Sequence, residues 1–370
     1  MTTIVTVIPT LTGGGAEKVC LRLHEQFLKR GIDHHIVVLC TKGVYDIERL
    51  TNIHMLPFEN TKNIDLLGKS RQMVASLERC LKTIEGDSNT RISALFAHLD
   101  EAHWVVRRLP RDIPKRYVVH TSLEGEMATA RRMSWLKHWR LKRKKLSLKD
   151  QHVIAVSDEL AREYSAANDW LPLGTVESIH NPIDWEDIQR QAAQTHDAIP
   201  DTPYVIHIGR CAKAKRHDVL LAAFKQVRQH RPDVKLVLLT RKDKKLRRLL
   251  DRFDAHDDVI VPGFQNNPFP WIKQAQCLAL SSDFEGLPNV LVESVVCGTP
   301  FVSTRCQCGP TEIAAGILED WLVPMNDPNA LAERLVAMLN EPVTIDHDQW
   351  ALRDKVTPEY AVNRYLESIQ

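Results

Sequence analysis

The stretch Ser281-Ser282-Asp283-Phe284-Glu285-Gly286-Leu287-Pro288-Asn289-Val290-Leu291-Val292-Glu293-Ser294 follows an apolar run, Cys277 to Leu280, that reads as a buried strand. It passes through a Gly/Pro turn into residues with helical spacing. In a parallel α/β sheet such a turn lies at the carboxyl edge, where ligands bind, and the first helical amides face the occupant of the crevice. Glu285 stands before the helix and Glu293 about one and a half turns into it, so two carboxylates can hold two groups of one extended ligand. Carboxylates accept from sugar hydroxyls, and the amides between them donate to phosphate oxygens. In isolation the same residues also describe an ordinary helix start, with Glu285 favouring the dipole and Glu293 solvated on the far face.

The chain around this turn is 370 residues long, enough for two domains with separate cores, and 44% hydrophobic with 26% charged is ordinary for a folded globular protein. No apolar run approaches the roughly eighteen residues needed to span a bilayer. Ile4 to Ile8 is short, has no basic leader and runs into Pro9, so it reads as a first strand and not a signal peptide. A cytoplasmic location is expected. The eight cysteines are scattered, mostly in apolar runs, which points to reduced, buried thiols; Cys306-Gln307-Cys308 has no His-x3-His partner for a zinc site. With a formal net charge of only +2, attraction to anions must come from local clusters.

In chain order, Thr3 to Ile8, the turn Thr12-Gly13-Gly14-Gly15, a helix over Ala16 to Lys29 and a strand over His35 to Leu39 open a βαβ unit. Lys18 stands where the dinucleotide fingerprint needs its third glycine, so NAD is a poor fit. The glycines allow close approach to a bulky ligand or form a plain turn, with Glu17 complementing the helix. Helices are expected over Lys69 to Ile84 and Glu101 to Arg108. His98 and His120 stand at the ends of the strands 93–97 and 117–119, the ligand edge of such sheets, though a strand-end histidine is often only a structural hydrogen-bonder. Arg131 to Lys149 is the most basic stretch, interleaved with Met133, Trp135, Leu136 and Trp139. Cations beside indoles suit a membrane surface; a solvated face and RNA binding are the alternatives. Gln151 to Val156 closes the first sheet, and Ser157 caps a helix.

The second half opens with the strand Tyr204 to Ile208, then Gly209-Arg210 and a loop carrying Lys213, Lys215 and Arg216 before a helix over Asp218 to Arg228, where cations would reinforce helix amides in holding a diphosphate. A further strand is expected at 234–239 and a strand with a turn at 259–264, with a basic helix, Lys244 to Phe253, between them. Asp346-His347-Asp348, the lone Asp-x-Asp, reads as a loop and not as a metal site.

Glu285 to Glu293, with Cys297-Gly298-Thr299-Pro300-Phe301-Val302-Ser303 and Gly309-Pro310-Thr311-Glu312-Ile313, resembles the donor-site signature of the retaining glycosyltransferases of family 4. The resemblance covers nearly the whole chain. It implies an α/β protein of GT-B fold, two Rossmann-like doubly wound domains facing across a cleft. Ser178-Ile179-His180-Asn181-Pro182-Ile183-Asp184 resembles the family's hinge, giving an acceptor domain over 1–182, a nucleotide-sugar domain over 183–350 and a helix over 351–370 crossing back. Carried over, Glu285 meets the sugar, Glu293 the ribose, and Gly286, Leu287, Pro288, Asn289 and Val290 the sugar and diphosphate. Gly14, Gly15 and Glu17 match a Gly-Gly-x-Glu motif. Arg210 and Lys215 match the diphosphate cations, although Arg216 replaces a glycine. Phe264 falls on the turn against the nucleobase, and His120 matches the histidine that reaches the sugar. Glu17 and His98 are expected on the acceptor side, and no metal or other cofactor is implied.

The implied activity is transfer of a hexose or N-acetylhexosamine from a nucleotide-sugar, expected to be a UDP-sugar, to a lipid-linked oligosaccharide or lipopolysaccharide core. The inner-membrane surface is the expected partner of Arg131 to Lys149, and nucleic acid is not favoured. A nucleotide-sugar epimerase or hydrolase, which needs no acceptor, and a non-catalytic basic binding protein are the competing classes.

Overall fold

A computed structural model describes residues 2–41, 51–65, 67–341 and 343–370. The chain divides into two compact units, Met1–Pro182 with Pro358–Gln370, and Ile183–Thr357.

In the first unit the strands are β1 (Thr3–Ile8), β2 (Asp33–Val38), β3 (Ile53–Met55), β4 (Ile92–His98), β5 (Lys115–Val119), β6 (His152–Ala155) and β7 (Thr175–Ser178). The helices between them are α1 (Gly15–Lys29), α2 (Leu67–Ser88), α3 (Asp100–Val106), α4 (Leu123–Met133), α5 (Trp135–Lys145) and α6 (Asp158–Ala166). The sheet is parallel in the order β3-β2-β1-β4-β5-β6-β7. Every residue of β1 is buried, as expected for a β-branched run covered on both faces. The strand order reverses between β1 and β4, which is where a crevice opens at the carboxyl edge of a doubly wound sheet. Ser157 caps α6, its hydroxyl accepting from the Leu160 amide at 3.2 Å.

The second unit repeats the plan with β8 (Tyr204–Ile208), β9 (Lys235–Leu239), β10 (Val259–Ile260), β11 (Cys277–Leu280), β12 (Phe301–Thr304) and β13 (Leu322–Val323) in the order β10-β9-β8-β11-β12-β13. Its helices are α7 (Trp185–Ala192), α8 (His217–His230), α9 (Lys244–Phe253), α10 (Phe269–Gln274), α11 (Asn289–Val296), α12 (Pro310–Ala314) and α13 (Pro328–Asn340). Here the order reverses between β8 and β11, so the loops that follow those two strands lie side by side. β10 ends at Ile260 and the expected turn follows: Pro262 has no amide to donate to a ladder, and Gly263 turns the chain with φ of 106°.

The last helix, α14 (Pro358–Glu367), belongs to the first unit. Tyr365 packs edge-on to Phe96 at 5.0 Å and Phe27 at 6.3 Å. Arg364 meets Glu177 at 3.0 Å. The returning segment was expected from residue 351, but 351–357 stay with the second unit, where the Ile183 amide donates to the Val356 carbonyl at 2.8 Å. Among the described residues, no helix is long and apolar enough to cross a membrane.

Candidate functional site

The loop after β8 and the loop after β11 are bound to one another through backbone and side chain. Asp283 donates its amide to the Ala214 carbonyl at 2.7 Å, and the Ser281 hydroxyl donates to the carbonyls of Lys215 at 2.8 Å and Arg216 at 3.1 Å. Across this seam Lys215 Nζ meets Glu285 Oε1 at 2.5 Å, and the Ser282 hydroxyl donates to the same oxygen at 2.6 Å. Glu285 keeps only 11% of its side chain exposed and Lys215 25%, so this ion pair is partly withdrawn from water and more strongly coupled than a surface pair. Arg210, two residues after β8, is exposed.

Arg216, which replaces the family's glycine, adopts the left-handed conformation with φ of 45° and ψ of 50°. The backbone therefore takes a shape open to glycine, and the side chain is held there. Its guanidinium meets Asp218 at 2.9 Å and Asp283 at 3.0 Å, and bonds the Asn326 side chain as well. Those carboxylates raise the Arg216 pKa. The loop shape that the substitution left open is thus fixed by ion pairs.

Gly286, Leu287 and Pro288 lead into α11, with Pro288 at its N-cap and Asn289 and Val290 in its first turn, half-buried. Glu293 is only 2% exposed, so it is not the solvated far-face carboxylate of the alternative reading. Phe264 is 39% exposed and follows the left-handed Gly263. Asp346-His347-Asp348 is a loop whose groups are used internally: Asp346 accepts from the Asp348 amide at 3.0 Å, and His347 Nε2 lies 2.7 Å from the Val295 carbonyl.

In the first unit the glycine turn after β1, His98 at the end of β4 and His120 just after β5 all lie on the carboxyl edge of neighbouring strands. Glu17 does not present itself to a ligand as expected on the acceptor side. It is 4% exposed, and both oxygens turn back onto its own loop. Oε1 accepts from Thr10 at 2.5 Å and Thr12 at 3.2 Å, while Oε2 accepts from the amides of Gly13 at 2.6 Å and Gly14 at 2.8 Å. Glu17 therefore shapes the glycine turn as the carboxylate half of a capping box, because four donors in reach hold it better than open water.

His98 Nδ1 lies 2.9 Å from His120 Nε2. His98 is fully buried and cannot meet an acceptor directly, so of the two only half-buried His120 is open to one. Burial, with His120 adding to it, drives the His98 pKa well below the ordinary histidine value. Burial, with His103 adding to it, takes His120 down to about 3. Both rings are neutral at physiological pH. A neutral pair sharing one hydrogen bond leaves His120 Nδ1 to donate to or accept from a ligand, according to the tautomer.

The basic stretch does not form one uniform face. Arg140 is held by Asp65 at 2.6 Å, Lys144 by Glu101 at 2.7 Å, and Lys145 by Asp100 at 2.8 Å and Glu126 at 2.7 Å. Lys145 is 3% exposed; burial opposes its charge, but Asp100 and Glu126 outweigh that and hold its pKa well above the usual lysine value. Arg131, Arg132, Lys137 and Lys149 remain exposed. Met133, Trp135, Leu136, Trp139 and Leu146 accompany them, five of the nine large exposed hydrophobic residues among the described residues. Trp135 is the most open at 77%. Exposed apolar and cationic side chains are thus concentrated within Arg131 to Lys149 and not scattered singly over the surface.

The Glycosyltransferase Family 4 model matches residues 13–187, and the Glycosyl transferases group 1 model matches residues 202–341. A Campylobacter jejuni protein, N-acetylgalactosamine-N,N'-diacetylbacillosaminyl-diphospho-undecaprenol 4-alpha-N-acetylgalactosaminyltransferase, is 30% identical over 168 residues, 45% of this chain and 44% of its own length. The matched stretches take in less than half of the length of the curated relatives, 30%, 44% and 45% for the first three. A crystal structure of a TarM mutant from S. aureus, in complex with Fondaparinux, alpha-GlcNAc-glycerol and UDP, superposes over 100% of both chains with a TM-score of 0.72 at 11% identity. Anabaena HepE in complex with UDP and glucose superposes over 100% of this chain and 96% of its own with a TM-score of 0.68 at 16% identity. At such identities the two structures speak for the fold alone, and that fold is GT-B. The two family matches, one in each half of the chain, agree with the fold: the chain carries both domains of the family 4 glycosyltransferases, on the GT-B fold.

Proposed function

We propose that the protein is a retaining glycosyltransferase that moves a hexose or N-acetylhexosamine from a UDP-sugar to a glycan acceptor carried on a lipid or lipopolysaccharide core. The observation that carries the donor half is the Lys215–Glu285 pair, set at the strand-order reversal beside the start of α11. A nucleotide-sugar presents a diphosphate and hydroxyls together, and this edge offers a cation and a carboxylate within one hydrogen-bond length. Lys215, Arg210 and the amides that start α11 stabilise the charge that builds on the leaving diphosphate. Glu285 orients the sugar ring and Glu293 holds the ribose, with Gly286 to Val290 along the diphosphate and the turn at Phe264 against the base. The fixed cations take the role of a metal, so the reaction is metal-independent and persists in chelator. In the first unit, Gly14 and Gly15 leave the backbone open to close approach by a ligand, and His120, a neutral imidazole oriented by His98, is suited to a sugar hydroxyl.

The Campylobacter relative's name gives a diphospho-undecaprenol acceptor, and the HepE structure holds UDP and glucose, which supports a lipid-linked acceptor and a uridine donor. The Trp135 and Trp139 patch with its exposed cations is suited to a membrane that carries such an acceptor, the indoles resting at the headgroup level. The enzyme thus works at the cytoplasmic face of the inner membrane.

Calorimetry with a panel of nucleotides and nucleotide-sugars, wild type beside Glu293→Ala and Lys215→Ala, tests the donor assignment. UDP binding that is lost in both variants is the expected result. If no nucleotide binds and both variants match wild type, the donor site is misassigned. UDP-sugar consumption without any acceptor would make the protein an epimerase or hydrolase. Proton NMR of the transferred sugar reads the anomeric configuration.

A further inference from the structure

The donor turn does not hold its shape alone. The end of β12 and the segment after it run beside it, touching it at three levels. The Thr304 hydroxyl donates to the Ser282 carbonyl at 2.7 Å, and Thr304 is 1% exposed. The Glu285 amide donates to the Gln307 carbonyl at 3.0 Å, and Phe284 and Gln307 form an isolated parallel bridge. At Gly309 the two segments come closest: a Cβ there would stand 2.4 Å from Pro288 Cδ, 2.9 Å from the Gly286 carbonyl oxygen and 3.2 Å from Leu287 Cα. The approach is made by two successive left-handed residues, Cys308 with φ of 61° and Gly309 with φ of 96°. A non-glycine residue in that region is uncommon and persists where the surroundings over-determine it.

We infer that the turn Cys306 to Pro310 is a template for the donor turn, and that Gly309 is a positioning residue which sets where Gly286, Leu287 and Pro288 stand. This rests on the donor-site reading above. Gly309 is required for two separable reasons, its φ and its missing side chain. Only the second acts on the donor turn, since the added methyl would push against backbone atoms that cannot rotate away. A displacement on the order of 1 Å in a positioned group can cost about a hundredfold in rate.

The test separates the two reasons. Gly316 has φ of 83° but nothing within 4 Å of a Cβ, so Gly316→Ala imposes similar backbone strain in open space. Nucleoside diphosphate affinity and melting temperature are measured for wild type, Gly309→Ala and Gly316→Ala. The expected result is that Gly309→Ala weakens binding at least about tenfold relative to Gly316→Ala, with kcat falling as well. Thr304→Val, which keeps the side-chain shape and removes the bond to Ser282, weakens binding severalfold and serves where Gly309→Ala fails to fold. Pro288→Ala removes the nearest clashing atom, so Gly309→Ala with Pro288→Ala loses less than the two single losses added together.

Equal affinity in Gly309→Ala and Gly316→Ala, or in Thr304→Val and wild type, overturns the inference while leaving the donor site standing. Strict additivity with Pro288→Ala does the same. Absence of nucleoside diphosphate binding by the wild type overturns the donor reading, and the inference falls with it.

Discussion

The pair at the carboxyl edge of the first sheet, His98 against His120, is made of neutral imidazoles, whereas the pairs that join the two loops at the edge of the second, Lys215 against Glu285 and Arg216 against Asp283, are ions. The two sheets share one topological plan, reversing strand order beside the loops in question, so the difference lies in the side chains and not in the architecture. Burial makes the contrast. It strips the charge from histidine, whose protonated form gains nothing from a histidine neighbour, while lysine and carboxylate in contact preserve one another's charge. A dianionic diphosphate calls for the second kind of edge. An uncharged sugar or its hydroxyls call for the first.

If that contrast is functional, the largest losses follow from the charged edge. Lys215→Met and Glu285→Ala are each expected to lower kcat by about 10²–10³-fold with folding retained, read by initial rates with saturating donor. Next comes a buried ion in the first unit: Lys145→Met strands Asp100 and Glu126 and should cost about 3–5 kcal/mol in denaturant unfolding, without altering nucleotide affinity. His120→Ala is expected to lower turnover by about 10–100-fold, with His120→Asn recovering part of it. A larger loss from His120→Ala than from Lys215→Met would reverse the comparison.

The neutral histidines also set a pH dependence. His98 lies far below its ordinary value, His120 is held near 3, and burial holds His103 and His207 near 4 and His217 near 2. Their unfolded forms take up a proton near pH 6.5, which the folded forms resist, so the unfolded state binds more protons. Their contribution is complete above about pH 6.5 and falls as pH drops toward the folded values, by up to about 1.4 kcal/mol per pH unit for each fully buried ring. Denaturant midpoints measured from pH 7.5 down to 5 should fall monotonically; a flat profile would mean these rings are not neutral inside. The smallest effect concerns the surface: Trp135→Ala with Trp139→Ala should lower binding to anionic vesicles severalfold while leaving transfer to a water-soluble acceptor analogue unchanged.

Periodicity and turn chemistry made the alternating strands and helices legible, and the turn at 281–294 was readable as a strand-to-helix junction at the carboxyl edge of a sheet. Features depending on one neighbour close in sequence, such as the Ser157 cap, could be read in the same way. What escaped reading was partnership at a distance. Arg140 and Lys145 looked like two more cations on an exposed face, but Asp65 and Asp100 lie 75 and 45 positions away and no local pattern announces them. Glu17 illustrates the converse: it was placed near its glycines, yet which way a carboxylate turns depends on the number of donors behind it. Gly309 was visible as part of a motif, but the sequence carries no sign of the distance between its Cα and Pro288.

Arg216 bears on how such sequences are engineered. A designer averaging over relatives would restore glycine at that position, judging the left-handed backbone to be the whole requirement. Here the change would relieve conformational strain and also release the guanidinium that ties Asp218, Asp283 and Asn326 into one cluster. Glycine at this position would exchange a clamp for a hinge, so this departure from the resembled motif is not one to correct safely.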